Sequence, residues 1–316
     1  MAVIGLTSAK GSPGVTTAAL ALGWVWPAVH PGRRVLVVDA DPAGTGTSAG
    51  FLRGTVPEGA GVVEWAAGLT AASRTGIGGA GPDARRGLWD HLVTLDEDGR
   101  RLLLPGVGDP GQARALAGGW EVLARVLTEV GTGEVGPFPD RLDVLVDLGR
   151  AGGTADQRAL WRGCAVLAVL TRSTLAQVSA AAGLVHRLQD SHVGARVAVV
   201  LVGQNTPYRA GEIAAALKVP VTGVLAVDRA AAAVFSDGTG RPRGFESSAL
   251  VRSARALAAS LGAQASPTAP PPAGGNDASP AGPAATRPGT GMHPRAEGVR
   301  STVAQAGEDT WGGRRG

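Results

Sequence analysis

The stretch from Lys10 to Thr17, which reads Lys-Gly-Ser-Pro-Gly-Val-Thr-Thr, decides the fold. An apolar, β-branched run at residues 3–6 precedes it, and a helical pattern begins at about Val15. Gly11 and Gly14 allow the backbone to turn so that successive N–H groups face one anion, and the helix N-terminus adds partial positive charge. A strand, a glycine-rich loop and a helix in this order predict a phosphate-binding loop. The alternative is a glycine-containing turn without a ligand.

Outward from this loop, strand-like and helix-like segments alternate. Apolar runs lie at residues 35–38, 102–104, 142–146, 165–170, 197–202 and 221–227. Helical patterns lie at residues 15–26, 112–129, 175–188, 212–217 and 249–261. The apolar runs are continuous, which is typical of strands covered on both faces. We therefore expect an α/β fold with a doubly wound, mostly parallel sheet, helices on both faces, and ligands at the carboxyl ends of the strands.

Composition divides the 316 residues into two parts. Residues 1–262 are expected to form one nucleotide-binding domain, whereas residues 263–316 are rich in Pro, Ala and Gly and are expected to form a disordered tail. The net charge of +4 is mild and does not by itself indicate nucleic acid. Only two of the 30 basic residues are lysines, Lys10 and Lys218, so a lysine in the glycine-rich loop is less easily accidental.

The loop resembles the K-G-G-x-G-K-[ST]-T motif of the ParA/MinD family of deviant P-loop ATPases. The matching positions are Lys10, Gly11, Pro13 (a free position), Gly14, Thr16 and Thr17. Ser12 replaces the second glycine, and Val15 replaces the P-loop lysine. The resemblance implies a site for ATP and Mg²⁺ built from residues 10–17. Thr16 would coordinate Mg²⁺, Thr17 would hydrogen-bond a phosphate oxygen, and Lys10 would reach the phosphates of the partner in a nucleotide-dependent homodimer.

Two acidic motifs follow the loop. The run Asp39-Ala40-Asp41-Pro42-Ala43-Gly44 is similar to the family's D-x-D-P-x-G, which implies that Asp39 lies near Mg²⁺ and that Asp41 orients or activates the attacking water. A turn between strand and proline is the alternative. Asp147 ends a second apolar run and, by resemblance, would hold Mg²⁺ through water. Arg150 is either a surface residue or a phosphate-side cation that partly replaces the missing lysine.

Asn205 is the candidate for recognition of the adenine edge, since the family has an asparagine after the corresponding strand. A turn residue before proline is the alternative. The family also has a G-x-[IL]-x-x-D segment, here Gly223 to Asp228. The resemblance thus covers most of residues 1–262 and none of the tail.

Val15 bears on function because a lysine–phosphate contact is worth about 1.5–3 kcal/mol. Loss of this contact lowers the affinity for nucleotide roughly 10- to 100-fold. It reduces stabilisation of the transition state for hydrolysis at least as much. We therefore expect an ATP-binding switch protein for intracellular positioning or chromosome partitioning, with weak or absent hydrolysis. The alternative is an inactive scaffold for a pilus or secretion assembly, as in TadZ/CpaE-type proteins. Nonspecific DNA binding ranks third, and a protein partner is expected but not identified.

Other features predict a cytoplasmic protein without a membrane anchor. No uncharged apolar run reaches 18 residues, and no basic segment precedes the first apolar stretch. The closing helix at 249–261 is amphipathic but alanine-rich, so packing on the sheet is favoured over membrane binding. Trp24, Trp26 and the single Cys164 are expected to be buried, and the five histidines show no metal-ligand spacing.

Overall fold

The fold is described from a computed structural model. The described residues are 2–11, 13–44, 46–74, 87–116, 118–132, 141–152, 155–191, 194–203 and 206–266.

Within the described residues, an eight-stranded sheet forms the centre of the molecule. The strands are β1 Val3–Ser8, β2 Arg33–Asp39, β3 Val93–Thr94, β4 Arg101–Leu104, β5 Arg141–Arg150, β6 Val166–Thr171, β7 Arg196–Val202 and β8 Val221–Leu225. Their order across the sheet is β3-β4-β2-β5-β1-β6-β7-β8. All neighbouring strands pair in parallel except the short β3, which is antiparallel to β4. The predicted mostly parallel α/β fold is therefore confirmed.

Helices cover both faces of this sheet. They are α1 Val15–Val29, α2 Val62–Arg74, α3 Pro110–Ala115, α4 Gly119–Thr132, α5 Ala155–Arg162, α6 Leu175–Asp190, α7 Ala210–Leu217, α8 Arg229–Ser236 and α9 Ala249–Ala265. A π-helix spans Gly46–Phe51, and a 3₁₀ turn spans Phe245–Ser247. The prediction of a single helix at 112–129 is wrong. This segment contains parts of two helices, α3 and α4, because Gly118 between them adopts a left-handed φ of +86°.

Two hydrophobic clusters lie on opposite faces of the sheet. Helices α1, α8 and α9 build one cluster, and helices α2, α4, α5, α6 and α7 contribute to the other. Helix α1 is apolar around its whole circumference, so it is buried on nearly every side. It runs from the glycine-rich loop directly into the first cluster. The loop is therefore anchored by the most buried helix of this layer.

The closing helix α9 packs on the sheet, as predicted. Its buried residues are Leu250, Val251, Ala254, Leu257, Ala258, Leu261 and Ala265. It continues past residue 262, where we placed the domain boundary, to Ala265. The predicted tail lies outside the described residues from 267 onward. Among the described residues, no helix is both long and apolar enough to span a membrane.

The buried roles expected for tryptophan and cysteine are confirmed. Trp26 is fully buried and donates its indole N–H to Asp143 at 3.0 Å. Trp24 packs its ring edge-on against Phe245, with 5.7 Å between the ring centroids. Cys164 is a buried free thiol, and burial raises its pKa to about 12.

Sequence reasoning missed the role of Asp143, whose buried carboxylate lies near the amino end of β5. In addition to the hydrogen bond from the Trp26 indole, this carboxylate accepts a hydrogen bond from the Ala2 amide at 3.0 Å and forms an ion pair with Arg33 at 2.9 Å. These donors satisfy both carboxylate oxygens, which a buried charge requires. Asp143 therefore ties the chain start, α1 and β2 to β5, at the end of the sheet remote from the predicted site.

Candidate functional site

The glycine-rich loop connects the carboxyl end of β1 to the N-terminus of α1, as predicted. Gly11 and Gly14 have φ values of +71° and +91°, a region that residues with a Cβ adopt only with strain. Gly14 is the N-cap of α1, so the loop ends beside the first backbone N–H groups of a 15-residue helix, which have no partner within the helix. Pro13 is buried, Lys10 is exposed, and Ser12 lies outside the described residues.

Gln177, which sequence reasoning missed, packs against this loop from the first turn of α6. A Cβ placed on Gly11 would lie 2.7 Å from the Gln177 Nε2 atom, so the flexible end of this side chain would have to shift. Gly11 is therefore needed chiefly for its backbone conformation, and the Gln177 contact adds only a small cost. No local motif marks Gln177, since the contact exists only after β6 and α6 pack beside β1.

Asp39 and Asp147 lie side by side at the carboxyl ends of neighbouring strands. They are register partners in the parallel pair of β2 and β5. Asp39 is 2% exposed and Asp147 is fully buried. Two carboxylates in adjacent register positions repel each other when both are ionised, which is costly away from water. The structure therefore brings together the two acids that the sequence placed in separate motifs.

Asp39 is held by a hydrogen-bond network that the sequence did not reveal. The Thr47 hydroxyl donates to Asp39 Oδ2 at 2.5 Å, the Thr47 amide donates to the same oxygen at 3.2 Å, and the Asp41 amide donates to Oδ1 at 3.1 Å. Burial raises the pKa of Asp39, and the Thr47 hydrogen bonds counter part of this change. Thr47 thus connects the π-helix at 46–51 to the acidic pair.

Asp147 has one satisfied and one unsatisfied oxygen. The Gly149 amide donates to Asp147 Oδ1 at 2.9 Å, whereas the buried Oδ2 has no hydrogen-bond partner among the described residues. Burial, followed by the negative charge of Asp39, raises the pKa of Asp147 to about 8, and the nearby Thr16 hydroxyl acts in the opposite direction. An unpartnered carboxylate oxygen beside a second carboxylate calls for a cation or a strong donor.

Asp41 lies just beyond β2 and is half-buried. Its carboxylate accepts the Ala43 amide at 2.9 Å and packs on Gly149, where an added Cβ would lie only 2.1 Å from the Asp41 Cγ atom. Burial raises the pKa of Asp41, while the Ala43 hydrogen bond and the positive charge of Arg150 lower it. The turn that the sequence offered as the alternative is therefore present at this residue, and the water-orienting role of Asp41 stays a prediction.

The first turn of α1 contributes three residues with different surroundings. Thr16 and Thr17 are half-buried, and Thr16 faces both Asp147 and Gly46, where an added Cβ would lie 2.9 Å from the Thr16 Cγ2 atom. Val15 is only 7% exposed and packs in the same hydrophobic cluster as the rest of α1. The position that carries a lysine in the motif is therefore occupied by an apolar side chain in the core.

These residues fit a divalent cation that is shared with a phosphate. Within the described residues, no three His, Cys, Asp or Glu side chains converge closely enough to hold a metal ion by themselves. Mg²⁺ keeps several waters and commonly takes its other ligands from one or two carboxylates and from phosphates. The Thr16 hydroxyl and Asp147 Oδ2 are two oxygen atoms that could bind such a cation. The positive charge of the cation would offset the repulsion between Asp147 and Asp39.

Asn205, the predicted adenine contact, lies outside the described residues. The strand before it, β7, ends at Val202, and Gly203 follows with a φ of +96°. Its role therefore stays a prediction.

Comparison with solved structures identifies the fold. A chain of the MinC:MinD cell division protein complex from Aquifex aeolicus matches with a TM-score of 0.59 and 15% identity, over 85% of this chain and 99% of that chain. MinD complexed with Mg-ADP from Pyrococcus horikoshii matches with a TM-score of 0.59 and 15% identity, over 81% and 94%. A ParA family ATPase from Chlorobium tepidum matches with a TM-score of 0.54 and 16% identity, over 81% and 97%.

No protein-family model and no curated protein matches the sequence. The structural matches nevertheless span more than nine-tenths of each neighbour, so they cover a complete fold. This chain has the fold of the MinD and ParA ATPases.

Proposed function

We propose that this protein is an ATP-binding switch protein that binds ATP with Mg²⁺ and hydrolyses it slowly or not at all. One observation carries the proposal. Thr16 and the acidic pair of Asp39 and Asp147 meet beside the glycine-rich loop, whereas Val15 is buried in the lysine position. The first arrangement favours binding of a metal–nucleotide complex, and the second disfavours fast chemistry.

The backbone of the loop is proposed to hold the phosphates, with the metal beside it. The phosphate-binding set is Lys10, Gly11, Ser12, Pro13, Gly14, Val15, Thr16 and Thr17. Within it, main-chain N–H groups at the start of α1 are the principal donors. The metal set is Thr16, Asp39 and Asp147. The raised pKa values of the two carboxylates support this assignment, because a bound cation favours their ionised forms.

Three further roles extend the proposal beyond phosphate binding. Asp41 would orient or activate the attacking water, since it lies two residues after Asp39 and is more exposed than that residue. Lys10 would contact the phosphates of a second protomer, in keeping with its exposed position on the loop. Asn205 would contact the adenine edge. Nucleotide would then control whether the protein is a monomer or a dimer.

The position of Val15 supports the proposed difference between nucleotide binding and hydrolysis. Its side chain lies in the core cluster of α1 and offers no hydrogen-bond donor. The missing lysine contact costs about 1.5–3 kcal/mol, whereas backbone amides and a metal ion remain to hold the phosphates. Without the lysine, no positive charge at this position stabilises the negative charge that develops on the phosphates in the transition state. The rate of ATP hydrolysis is therefore expected to fall at least as much as the affinity for ATP.

The decisive test is isothermal titration calorimetry of the full chain with ATP and ADP, with and without millimolar MgCl₂. We expect Mg²⁺-dependent binding of both nucleotides, and turnover that rises in Val15→Lys. The matched control is Val25→Lys, a substitution of another buried valine of α1 remote from the loop, which should lower stability without raising affinity. Absence of nucleotide binding at any Mg²⁺ concentration would refute the proposal.

We propose intracellular positioning or partitioning as the process served, with a nucleotide-dependent homodimer as the working form. Support comes from the fold, whose structural neighbours include a MinC:MinD cell division protein complex. Such a switch would act in the cytoplasm, where ATP and Mg²⁺ are present. Sedimentation velocity with ATP should show a dimer that ADP does not produce, and Lys10→Ala should abolish the dimer while leaving binding to a single protomer largely intact.

The second candidate function is an inactive scaffold for a pilus or secretion assembly, and the buried Val15 favours it. Wild-type turnover at the level of Val15→Lys would eliminate this candidate. Nonspecific DNA binding is the weaker option, because the net charge is only +4. Absence of a mobility shift with duplex DNA at low salt, with and without ATP, would remove it.

A further inference from the structure

Strand β5 contains a bulge next to the candidate site. Leu6 on β1 pairs with Asp147, but Ser8, two residues later, pairs with Arg150, which is three residues after Asp147. The register therefore shifts by one residue between the two pairs. Gly149 within the bulge has a φ of +57°, and its carbonyl accepts the Thr7 hydroxyl at 3.1 Å. A bulge of this kind redirects a side chain, and bulges are common next to functional sites.

The bulge determines the face on which Arg150 lies. In a regular strand, residues three apart point to opposite faces of the sheet. Leu6 and Ser8 are two apart and share a face, so their partners Asp147 and Arg150 share that face as well. Leu6 packs in the cluster of α1, which places Arg150 on the side of the sheet where α1 begins.

The contacts around Arg150 agree with this placement. The Asp41 carboxylate rests on Gly149, the residue directly before Arg150. The residue after Arg150 also bonds to β1, because the Ala151 amide donates to the Ser8 carbonyl at 2.8 Å. Ser8 is the last residue of β1 before the glycine-rich loop.

We propose that Arg150 is a phosphate-binding residue that supplies, from the end of β5, the positive charge that Val15 no longer provides at the start of α1. This inference rests on the proposed nucleotide binding and deepens it. A guanidinium can hold a phosphate through two parallel N–H donors, so it can replace the point charge of a lysine from a different direction. The ligand is the polyphosphate of a nucleoside di- or triphosphate. Arg150 binds it as a charged donor and takes part in no bond-making step.

The test is calorimetry of the full chain with ATP and AMP in MgCl₂ for wild type, Arg150→Ala and Arg150→Lys. Arg125→Ala is the matched control, since Arg125 is an exposed arginine on α4, on the opposite face of the sheet. We expect Arg150→Ala to weaken ATP binding roughly 10- to 100-fold, and Arg150→Lys to retain part of the affinity. AMP binding, and ATP binding to Arg125→Ala, should change by no more than about twofold.

A double variant separates a phosphate contact from a structural role. Val15→Lys should restore most of the ATP affinity that Arg150→Ala loses, because it returns a cation to the loop, whereas it cannot repair a misfolded β5. Equal losses for ATP and AMP, or no rescue in Val15→Lys/Arg150→Ala, would overturn the inference. If wild type binds ATP and Arg150→Ala binds it equally well, the inference fails while the proposed function stands. If wild type binds no nucleotide, both fail.

Discussion

Gly149→Ala is the substitution whose effect can be worked most directly from the structure. The new Cβ would lie 2.1 Å from Asp41 Cγ, 2.2 Å from Oδ1 and 2.5 Å from Oδ2. Because ordinary contact begins at 3.4 Å, the Asp41 carboxylate must retreat by about 1.3 Å. Alanine must also adopt a φ of +57°, which costs about 1–2 kcal/mol by itself.

Gly54→Ala is the matched control for the backbone term. Gly54 has a φ of +74°, and a Cβ there would meet no atom within 4 Å. Both variants should therefore lose about 1–2 kcal/mol of unfolding free energy, with a further loss of about 0.5–1.5 kcal/mol in Gly149→Ala from the displaced Asp41 side chain. Urea denaturation of the two variants beside wild type measures this difference.

The functional consequence is larger than the loss of stability. A displacement of about 1 Å in a residue that orients the reacting water can cost on the order of 100-fold in rate. We expect Gly149→Ala to lower the rate of single-turnover ATP hydrolysis in a Val15→Lys background on the order of 100-fold, and Gly54→Ala to leave that rate nearly unchanged. Equal stability and equal turnover in the two glycine variants would refute the placement of Asp41 against Gly149.

Two further predictions concern buried carboxylates. Asp147→Asn should stabilise the ligand-free protein increasingly between pH 5 and 8, because a folded-state pKa of about 8, raised above the ordinary 3.8, makes wild type lose stability as pH rises. Urea denaturation of wild type and variant at four pH values tests this. The stability difference between them should grow by at most about 1.4 kcal/mol per pH unit. A difference that stays constant with pH would contradict the prediction. Trp26→Phe should cost about 1–3 kcal/mol, since the buried Asp143 loses a donor, whereas Trp24→Phe loses a part-buried hydrogen bond to Glu246 and should cost less. Thermal unfolding compares the two, and equal melting temperatures would count against the Asp143 network.

Local chemistry accounts for the parts of the fold that were predicted correctly. Continuous apolar runs mark buried parallel strands wherever they occur, and the two glycines before Val15 mark a turn into a helix. The break at Gly118 was missed because the apolar period continues across it. Helix α5 was not predicted, because its eight residues are too few for a clear helical period.

The site shows the same division between local and long-range information. The sequence by itself determined that a glycine-rich loop opens a helix, that Asp39, Asp41 and Asp147 lie at or near the carboxyl ends of apolar strands, and that Val15 stands where a lysine is expected. Tertiary structure decided which of these groups meet. The register of β2 against β5 set Asp39 beside Asp147, and the bulge at Gly149 turned Arg150 toward the face of α1. Pairing register depends on contacts between segments more than 100 residues apart, so no local pattern in the chain encodes it.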